Sequence, residues 1–248
     1  MFERSDKTGC LRGRVALVTG ASSGIGRAIA LALSSLEVEL YVVGRNPDRL
    51  RETVEAARRF SHATGFGLDL AVEGNLRSLV RNLQEKNGSL DILIHSAGVF
   101  RQDLMEYARI GDLDLQYTLN VRVPYVLTKW LLPLLTAAHG QVVFVNSSIG
   151  LSVKRPEVGQ HAATKHALRA IADSLREQVN AKGVRVLTLY LGRTATPMQE
   201  AIYRQEGRVY QPEKLLQPED VASLLMAALM LPYTAEVTDI SIRPMIKP

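Results

Sequence analysis

The chain has 248 residues, of which 46% are hydrophobic and 22% are charged, a composition that is ordinary for a globular protein. It argues against a disordered chain and against a fibrous repeat. A chain of this length buries a sizeable core without a disulfide or a metal. Its single cysteine, Cys10, excludes an intramolecular disulfide and a multi-cysteine metal site, which fits a reducing compartment.

The net charge of +5 raises the question of an anionic partner. Nucleic acid is disfavoured, because acidic residues interrupt the basic segment 45–59 and no nucleic-acid-binding motif is present. A membrane span is disfavoured, because the most apolar helical run, residues 221–231, is far shorter than the ~20 residues that a span requires. Residues 1–14 lack the apolar core of a signal peptide. We therefore expect a cytoplasmic protein that binds small molecules.

From residue 14 onward, short β-branched segments alternate with amphipathic ones. Strands are predicted at residues 14–19, 39–44, 66–70, 91–95, 141–147, 184–191 and 237–242. Helices are predicted at residues 24–36, 47–60, 73–86, 112–135, 158–182 and 219–231, with a bend at Pro124. This order predicts a Rossmann-type, doubly wound α/β fold with a mostly parallel seven-stranded sheet and helices on both faces. No linker or repeat divides the chain, so we expect one domain over residues 1–248, with a polar tail at residues 1–12.

A glycine-rich loop, TGASSGIG at residues 19–26, lies between the first strand and the first helix. Its glycines permit a tight turn and a close approach to a pyrophosphate, and the helix N-terminus offers free N–H groups and a positive dipole end. We expect a dinucleotide to bind at Gly20, Ser22, Ser23, Gly24, Ile25 and Gly26. A plain strand–helix turn is the alternative, which the position between an apolar strand and a helix disfavours.

The end of the second predicted strand indicates which nucleotide is bound. An acidic residue there would hydrogen-bond the free ribose 2′-hydroxyl of NAD. The chain has Arg45 and Asn46 at this point and no carboxylate before Asp48. Arg45 is suited to a 2′-phosphate. We therefore favour NADP(H), with NAD(H) as the open alternative and a plain surface arginine as the other interpretation of Arg45.

From about residue 12 onward the chain resembles the short-chain dehydrogenase/reductase family, in its single-domain branch. Residues 19–26 match the TGxxxGxG loop, and residues 95–98, HSAG, correspond to the NNAG segment with both asparagines replaced. Residues 192–196 resemble the PGxxxT segment, with Leu191 in place of the proline. The resemblance implies further cofactor contacts at Asp69, Leu70, Ser96, Ala97, Gly98, Lys165, Gly192, Thr194 and Thr196.

The resemblance also implies a catalytic group, in which one member differs from the family. Asn120 matches the asparagine of the proton relay, and Ser148 matches the serine that polarises the substrate oxygen. The family's Tyr-x-x-x-Lys pair reads His161 and Lys165 here. In the family the lysine binds the ribose and lowers the pKa of the tyrosine. The implied reaction is hydride transfer between NADP(H) and a ketone or secondary alcohol.

His161 changes the acid of this relay. A neighbouring lysine disfavours the imidazolium, so the neutral ring accepts a proton but is a poor donor. Imidazole is also shorter than phenol, and an error of roughly 1 Å costs about 10²-fold in rate unless water bridges the gap. Three interpretations stay open: a slowed or oxidation-biased enzyme, a dinucleotide-binding pseudoenzyme with a sensing or assembly role, and a tyrosine that has been replaced in this sequence. We favour the enzyme, because Asn120, Ser148 and Lys165 are retained.

Three further expectations concern the surroundings of this site. Residues 197–217 are polar and aromatic and form either a mobile substrate lid or a plain surface connection. The apolar faces of the predicted helices 112–135 and 158–182 favour a homodimer or homotetramer. The histidines have no metal-ligand spacing, so no metal is expected.

Overall fold

Seven strands form one parallel sheet in the computed structural model, which describes residues 10–246. The strands are β1 Val15–Thr19, β2 Glu39–Gly44, β3 Ala63–Gly67, β4 Ile92–His95, β5 Gln141–Ser147, β6 Arg185–Leu191 and β7 Asp239–Ile242. The helices are α1 Gly24–Ser35, α2 Pro47–Ala57, α3 Glu73–Lys86, α4 Ile110–Tyr117, α5 Val123–Ala137, α6 Gly159–Val179, α7 Pro197–Gln205 and α8 Pro218–Leu229. A π-helical turn, Thr118–Arg122, joins α4 to α5, and 3₁₀ turns occur at Ser148–Gly150, Pro156–Val158, Asn180–Lys182 and Pro212–Lys214.

The strands are ordered β3-β2-β1-β4-β5-β6-β7, and every neighbouring pair is parallel. The chain builds outward from β1 to β3 and then returns to add β4 on the other side of β1. The carboxyl ends of β1 and β4 therefore flank the point where the strand order reverses, where open α/β sheets bind ligands. The predicted Rossmann-type fold is confirmed.

Helices cover both faces of the sheet, and β1 shows how one strand serves both. Ala16 and Val18 point into a core with α1, α2 and α8, whereas Leu17 points into a core with α3, α5 and α6. Because successive side chains of a strand point to opposite faces, a strand covered on both sides reads as a continuous apolar run. This explains why the compact run VALVT was recognisable as a buried strand.

Two predicted elements are corrected by the structure. The third strand lies at residues 63–67 rather than 66–70, because the β2 segment Leu40–Gly44 pairs with Ala63–Gly67. The predicted helix 112–135 is divided by the π turn into α4 and α5. Pro124 has no N–H to donate to the carbonyl of Asn120, which removes a regular helical bond at this point.

Within the segment 197–217, the residues Pro197–Gln205 form the helix α7, which was not predicted. The other boundaries differ from the predicted ones by about three residues or fewer. Of the predicted tail, residues 1–9 lie outside the described residues, and Leu11 is buried in the core. Within residues 10–246, no helix is long and apolar enough to cross a bilayer.

Candidate functional site

The loop between β1 and α1 packs its glycines against neighbouring backbone. Gly20 has a φ of +70°, and a Cβ there would lie 2.7 Å from the backbone nitrogen of Ala97. A Cβ on Gly26 would clash with the carbonyl oxygen of Gly20. Only glycine accommodates this conformation and these approaches at low cost. The loop therefore turns tightly over the end of β1 and directs the chain into α1.

Helix α1 begins without a side-chain cap. Ser23 holds the N-cap position, but its side chain makes no capping hydrogen bond, and the first turn contains no acidic residue. The first N–H groups of a helix have no partner within the helix, and the dipole places positive charge at the same end. An uncapped start of this kind fits the pyrophosphate of a dinucleotide.

The loop opens into a cleft of about 820 Å³ at the carboxyl ends of the strands, within the range of about 300–1,000 Å³ that is usual for small-molecule sites. The cleft brings together the predicted residues Gly20, Ser22, Ser23, Gly24, Ile25, Gly26, Arg45, Leu70, Ser96, Ala97, Gly98, Asn120, Ser148, His161, Lys165, Gly192, Thr194 and Thr196. Asp69 is the predicted residue that does not line it. Its exposed carboxylate instead accepts a hydrogen bond of 2.9 Å from the N–H of Ala71.

Two arginines line the cleft where β2 ends. Arg45 and Arg49 are both exposed, and the amide oxygen of Asn46 accepts a hydrogen bond of 2.9 Å from the N–H of Arg49, which caps α2. No carboxylate of residues 10–246 lines any part of the cleft. Its charge therefore favours an anionic ligand. Arg49 was not among the predicted site residues, although it lies only four residues after Arg45 in the sequence.

The segment 95–98 is tied to the glycine loop by Thr19. The hydroxyl oxygen of Thr19 accepts hydrogen bonds from the N–H groups of Ser96, at 3.1 Å, and of Ala97, at 3.2 Å. His95 does not line the cleft. Its ring is buried, and Nε2 lies 2.8 Å from the hydroxyl of Thr128. Of this segment, residues 96–98 form the wall of the cleft and His95 belongs to the core.

Lys165 and Ser148 meet the cleft from α6 and from the end of β5. Ser148 is exposed and begins the turn that follows β5. The Nζ of Lys165 donates a hydrogen bond of 3.1 Å to the carbonyl of Val145, and the Lys165 carbonyl accepts one of 3.1 Å from Asn146. These bonds hold the middle of α6 against β5. Burial lowers the pKa of Lys165 to about 8, so the ammonium is mostly charged at neutral pH.

His161 lies one helical turn before Lys165 and is 6% exposed. The ring of Phe100 packs edge-on against its imidazole, with 4.7 Å between ring centroids. Burial, with a smaller contribution from the charge of Lys165, lowers the pKa of His161 to about 3, although a hydrogen bond with the Val99 backbone opposes the shift. The ring is therefore neutral at pH 7, and its Nδ1 has no hydrogen-bond partner among residues 10–246.

Asn120 lies in the π turn and holds Val99 in place. Its amide oxygen accepts a hydrogen bond of 2.9 Å from the N–H of Val99, and its amide nitrogen donates to the Val99 carbonyl at 3.0 Å and to the Thr164 hydroxyl at 3.1 Å. Both amide N–H groups are engaged. The Asn120 carbonyl lacks its regular helical donor because Pro124 has no N–H.

Helix α7 covers one side of the cleft. The hydroxyl of Thr196 caps it by accepting a hydrogen bond of 3.1 Å from the N–H of Gln199, and Pro197 follows the cap. A Cβ on Gly24 would lie 2.9 Å from Cγ2 of Thr196, so the start of α7 lies directly against the glycine loop. The pattern Thr-Pro at residues 196–197 is typical of a helix start, and it marks α7, a helix that was not predicted.

Comparison with known proteins identifies the family. The family described as short chain dehydrogenase matches residues 14–207, more than three quarters of the chain. The chain belongs to the short-chain dehydrogenase family. Its glycine loop, its lysine on α6 and the strands β1 to β6 all lie within the matched residues. Family membership makes it an oxidoreductase.

Relatives and solved structures cover nearly the whole chain. A short-chain type dehydrogenase/reductase of Sinorhizobium fredii is 31% identical over 247 residues, spanning 94% of this chain and 92% of that protein. An uncharacterized oxidoreductase of Staphylococcus epidermidis is 30% identical over 232 residues, spanning 93% and 97%. A short chain dehydrogenase from Burkholderia cenocepacia, solved in complex with NADP, is 26% identical with a TM-score of 0.80, spanning 94% and 97%.

In this short-chain dehydrogenase, the cleft thus combines two kinds of surface. One half has an uncapped helix start, close backbone turns and two arginines. The other half has the exposed hydroxyl of Ser148 at the end of β5. It also has the neutral imidazole of His161 and the charged ammonium of Lys165, which are one helical turn apart on α6. The first half fits a nucleotide, and the second can bind and polarise a carbonyl or hydroxyl group.

Proposed function

We propose that the protein is an NADP(H)-dependent oxidoreductase that transfers hydride between the nicotinamide and a ketone or secondary alcohol. The observation that carries this proposal is the convergence of Ser148, His161 and Lys165 on the same cleft as the glycine loop and Arg45. NADP(H) fits these residues, because the loop accepts no Cβ at Gly20 and the cleft wall carries cations without carboxylates. NADP in the Burkholderia cenocepacia structure supports the same choice.

Each residue has a role that its position supports. The N–H groups at the start of α1 bind the pyrophosphate, Arg45 binds the 2′-phosphate, and the Lys165 ammonium binds the ribose. The bound cofactor supplies or accepts the hydride. Ser148 donates a hydrogen bond to the substrate oxygen and polarises the carbonyl.

The proton step depends on His161. The neutral ring lines the cleft and has one nitrogen with a free lone pair, which can take the proton of an alcohol. With a pKa of about 3, however, the ring cannot retain that proton at pH 7, so it must pass it on at once. In this proposal a water held at Asn120 receives it, because Pro124 has no N–H to donate to the Asn120 carbonyl. These properties favour alcohol oxidation over carbonyl reduction and predict slow turnover in both directions.

The same low pKa favours a second function, a dinucleotide-binding protein without turnover. Its cofactor site would be complete while its proton donor is not, and it would act in sensing or assembly. A homodimer or homotetramer and a cytoplasmic location stay predictions. The exposed apolar side chains Ile110, Tyr117 and Tyr125 on α4 and α5 support an interface there.

A paired measurement separates the two functions. NADPH and NADP⁺ are titrated by fluorescence, and turnover is measured over a panel of ketones and secondary alcohols for the chain, for His161→Tyr and for the control His166→Tyr on the exposed face of α6. We expect binding of NADP(H), slow turnover by the unaltered chain, and an increase of about 10²-fold or more in kcat for His161→Tyr alone. The control should match the unaltered chain.

Other outcomes reject one of the two functions or both. Activity found only in His161→Tyr would leave the second function, because the unaltered site then binds without reacting. Failure to bind either dinucleotide would contradict both. Turnover by the unaltered chain whose rate shows no step between pH 5 and 8 would agree with a His161 ring that stays neutral in this range, and a step near pH 6.5 would contradict its lowered pKa.

A further inference from the structure

The cleft contains more positive charge than the nucleotide half uses. Arg45 and Arg49 belong to the nucleotide half, and the Lys165 ammonium is assigned to the ribose. The other half is lined by Lys154, Arg155, Arg193 and Arg243. No carboxylate of residues 10–246 lines either half. A neutral ketone or alcohol carries no negative charge that could pair with this second group of cations.

Lys154 and Arg193 line the same cleft as Ser148, and both follow elements that adjoin it. Lys154 belongs to the segment between the Ser148 turn and α6, the helix that carries His161. Arg193 follows β6, where Leu191 is paired in register with Ser147 of β5. The two cations thus reach the cleft from two different segments, one after β5 and one after β6, and both line it.

Arg155 is already engaged by protein groups. Its guanidinium donates to Glu206 at 2.7 Å and to the amide oxygen of Gln102 at 2.7 Å, and it lies 3.5 Å from Glu157. It is therefore a structural cation that connects the Ser148 side of the cleft to the end of α7. Its neighbours Lys154 and Arg193 are less fully paired.

Arg193 is paired at only one of its two terminal nitrogens. Its Nη2 donates to the Glu206 carboxylate at 3.0 Å and 3.1 Å, and its guanidinium lies 4.8 Å from the ring centroid of Tyr203. Its Nη1 is buried without a hydrogen-bond acceptor among residues 10–246. Lys154 is exposed and forms no ion pair with any of these residues. Because Nη1 is buried, Arg193 acts on a ligand in the cleft through its charge, and the exposed Lys154 ammonium offers the free donors.

We propose that the substrate is an oxo acid or its hydroxy-acid counterpart, whose carboxylate binds Lys154 and Arg193 while its carbonyl or hydroxyl lies at Ser148 and His161. This substrate class rests on the proposed oxidoreductase function. The carboxylate can accept hydrogen bonds from the exposed Lys154 ammonium, and the Arg193 guanidinium adds its positive charge at the wall of the cleft. The carboxylate also balances the excess positive charge of this half of the cleft.

The test compares oxo acids with their methyl esters, which keep the carbonyl and lose the negative charge. A series of 2-oxo, 4-oxo and 5-oxo acids varies the distance between the carbonyl and the carboxylate. For at least one chain length, kcat/KM for the acid should exceed that of its ester by about tenfold or more. In Lys154→Gln and in Arg193→Gln this ratio should fall towards one. In Lys129→Gln, which removes an exposed lysine of α5 outside the cleft, the ratio should not change.

A binding measurement keeps this inference separate from the proposed function. Calorimetry on the NADPH-loaded protein measures the affinity for the same acids and esters without requiring turnover. Preference for the acid, lost in Lys154→Gln but kept in Lys129→Gln, supports the carboxylate site even if no substrate is turned over. Turnover of esters and acids at equal rates would overturn the inference and leave the oxidoreductase function intact. Equal affinity for acid and ester would overturn the carboxylate site, and the panel of neutral ketones and alcohols would still decide the oxidoreductase function.

Discussion

At the scale of single residues, the protonation of α6 decides how the site can work. His161 and Lys165 are one helical turn apart, and burial lowers the pKa of each, to about 3 and about 8. Lys165 therefore keeps its charge at pH 7 and His161 does not. The same ammonium would stabilise the phenolate of a tyrosine, whereas it destabilises an imidazolium. At this position Lys165 would promote ionisation of a tyrosine, whereas it opposes protonation of the histidine.

A prediction at this scale concerns the choice of nucleotide. Arg45→Gln removes a cation that we place at the 2′-phosphate, so the Kd for NADPH should rise by about tenfold or more while the Kd for NADH changes little. Arg49→Gln should act in the same direction. Fluorescence titration with both nucleotides measures these constants. The control is Arg59→Gln, an exposed arginine beyond the end of α2 that does not line the cleft.

If Arg45→Gln weakened NADH and NADPH equally, the arginine would not read the 2′-phosphate and the preference for NADP(H) would fail. The location of Arg45 in the cleft was predictable, because the loop and the strand end are local features of the sequence. The state of His161 was only partly predictable. Its spacing to Lys165 is visible in the sequence, but its burial against Phe100 depends on a distant segment.

At the scale of elements, α7 is held to the cleft by its last residues. The carboxylate of Glu206, directly after α7, accepts hydrogen bonds from Arg155 at 2.7 Å, Arg193 at 3.0 Å and Arg208 at 3.3 Å. Burial alone would raise the pKa of Glu206, but the bonds from Arg155 and Arg193 outweigh it and hold this pKa below its usual value. One carboxylate therefore fixes three guanidinium groups that come from separate parts of the chain.

Removing that charge should loosen α7. In Glu206→Gln, three guanidinium groups lose their common anion and repel one another, so we expect the amides of residues 197–205 to exchange about tenfold faster. Hydrogen–deuterium exchange with mass spectrometry measures this, with the amides of β1 as internal reference. In the control Glu200→Gln, an exposed pair with Arg204 at 3.5 Å is lost on the same helix, and exchange should stay within about twofold. Equal effects of both variants would show that Glu206 does not anchor α7.

The elements that the sequence did not predict correctly have nonlocal causes. The third strand was placed too late because Leu68 and Leu70 continue its apolar pattern, although both lie beyond the strand and line the cleft. The division of the helix near residue 120 follows from Pro124 and from the bonds between Asn120 and Val99. The sheet order was predictable in kind, since repeated β–α units permit few arrangements.

At the scale of the whole molecule, the fold buries two histidines, His95 and His161. The face covered by α3, α5 and α6 encloses His95, which hydrogen-bonds Thr128 and stacks on Phe144 with 5.1 Å between ring centroids. Burial lowers the pKa of His95 to about 3, as it does for His161. The folded protein therefore contains two neutral histidines. In the unfolded chain, where they are exposed to water, both would titrate near their ordinary pKa of about 6.5.

These histidines should make the folded state less stable as the pH falls. Below about pH 6.5 the unfolded chain binds protons at both positions while the folded protein binds none until about pH 3, so the free energy of unfolding decreases through this window. Between about pH 7.5 and 5.5 the expected loss is about 1.4 kcal/mol for each histidine. Urea unfolding at both pH values measures it. His95→Asn and His161→Tyr should each remove about half of the loss, and the exposed His62→Gln should not change it. A loss that persists undiminished in the double variant would show that other groups carry the pH dependence.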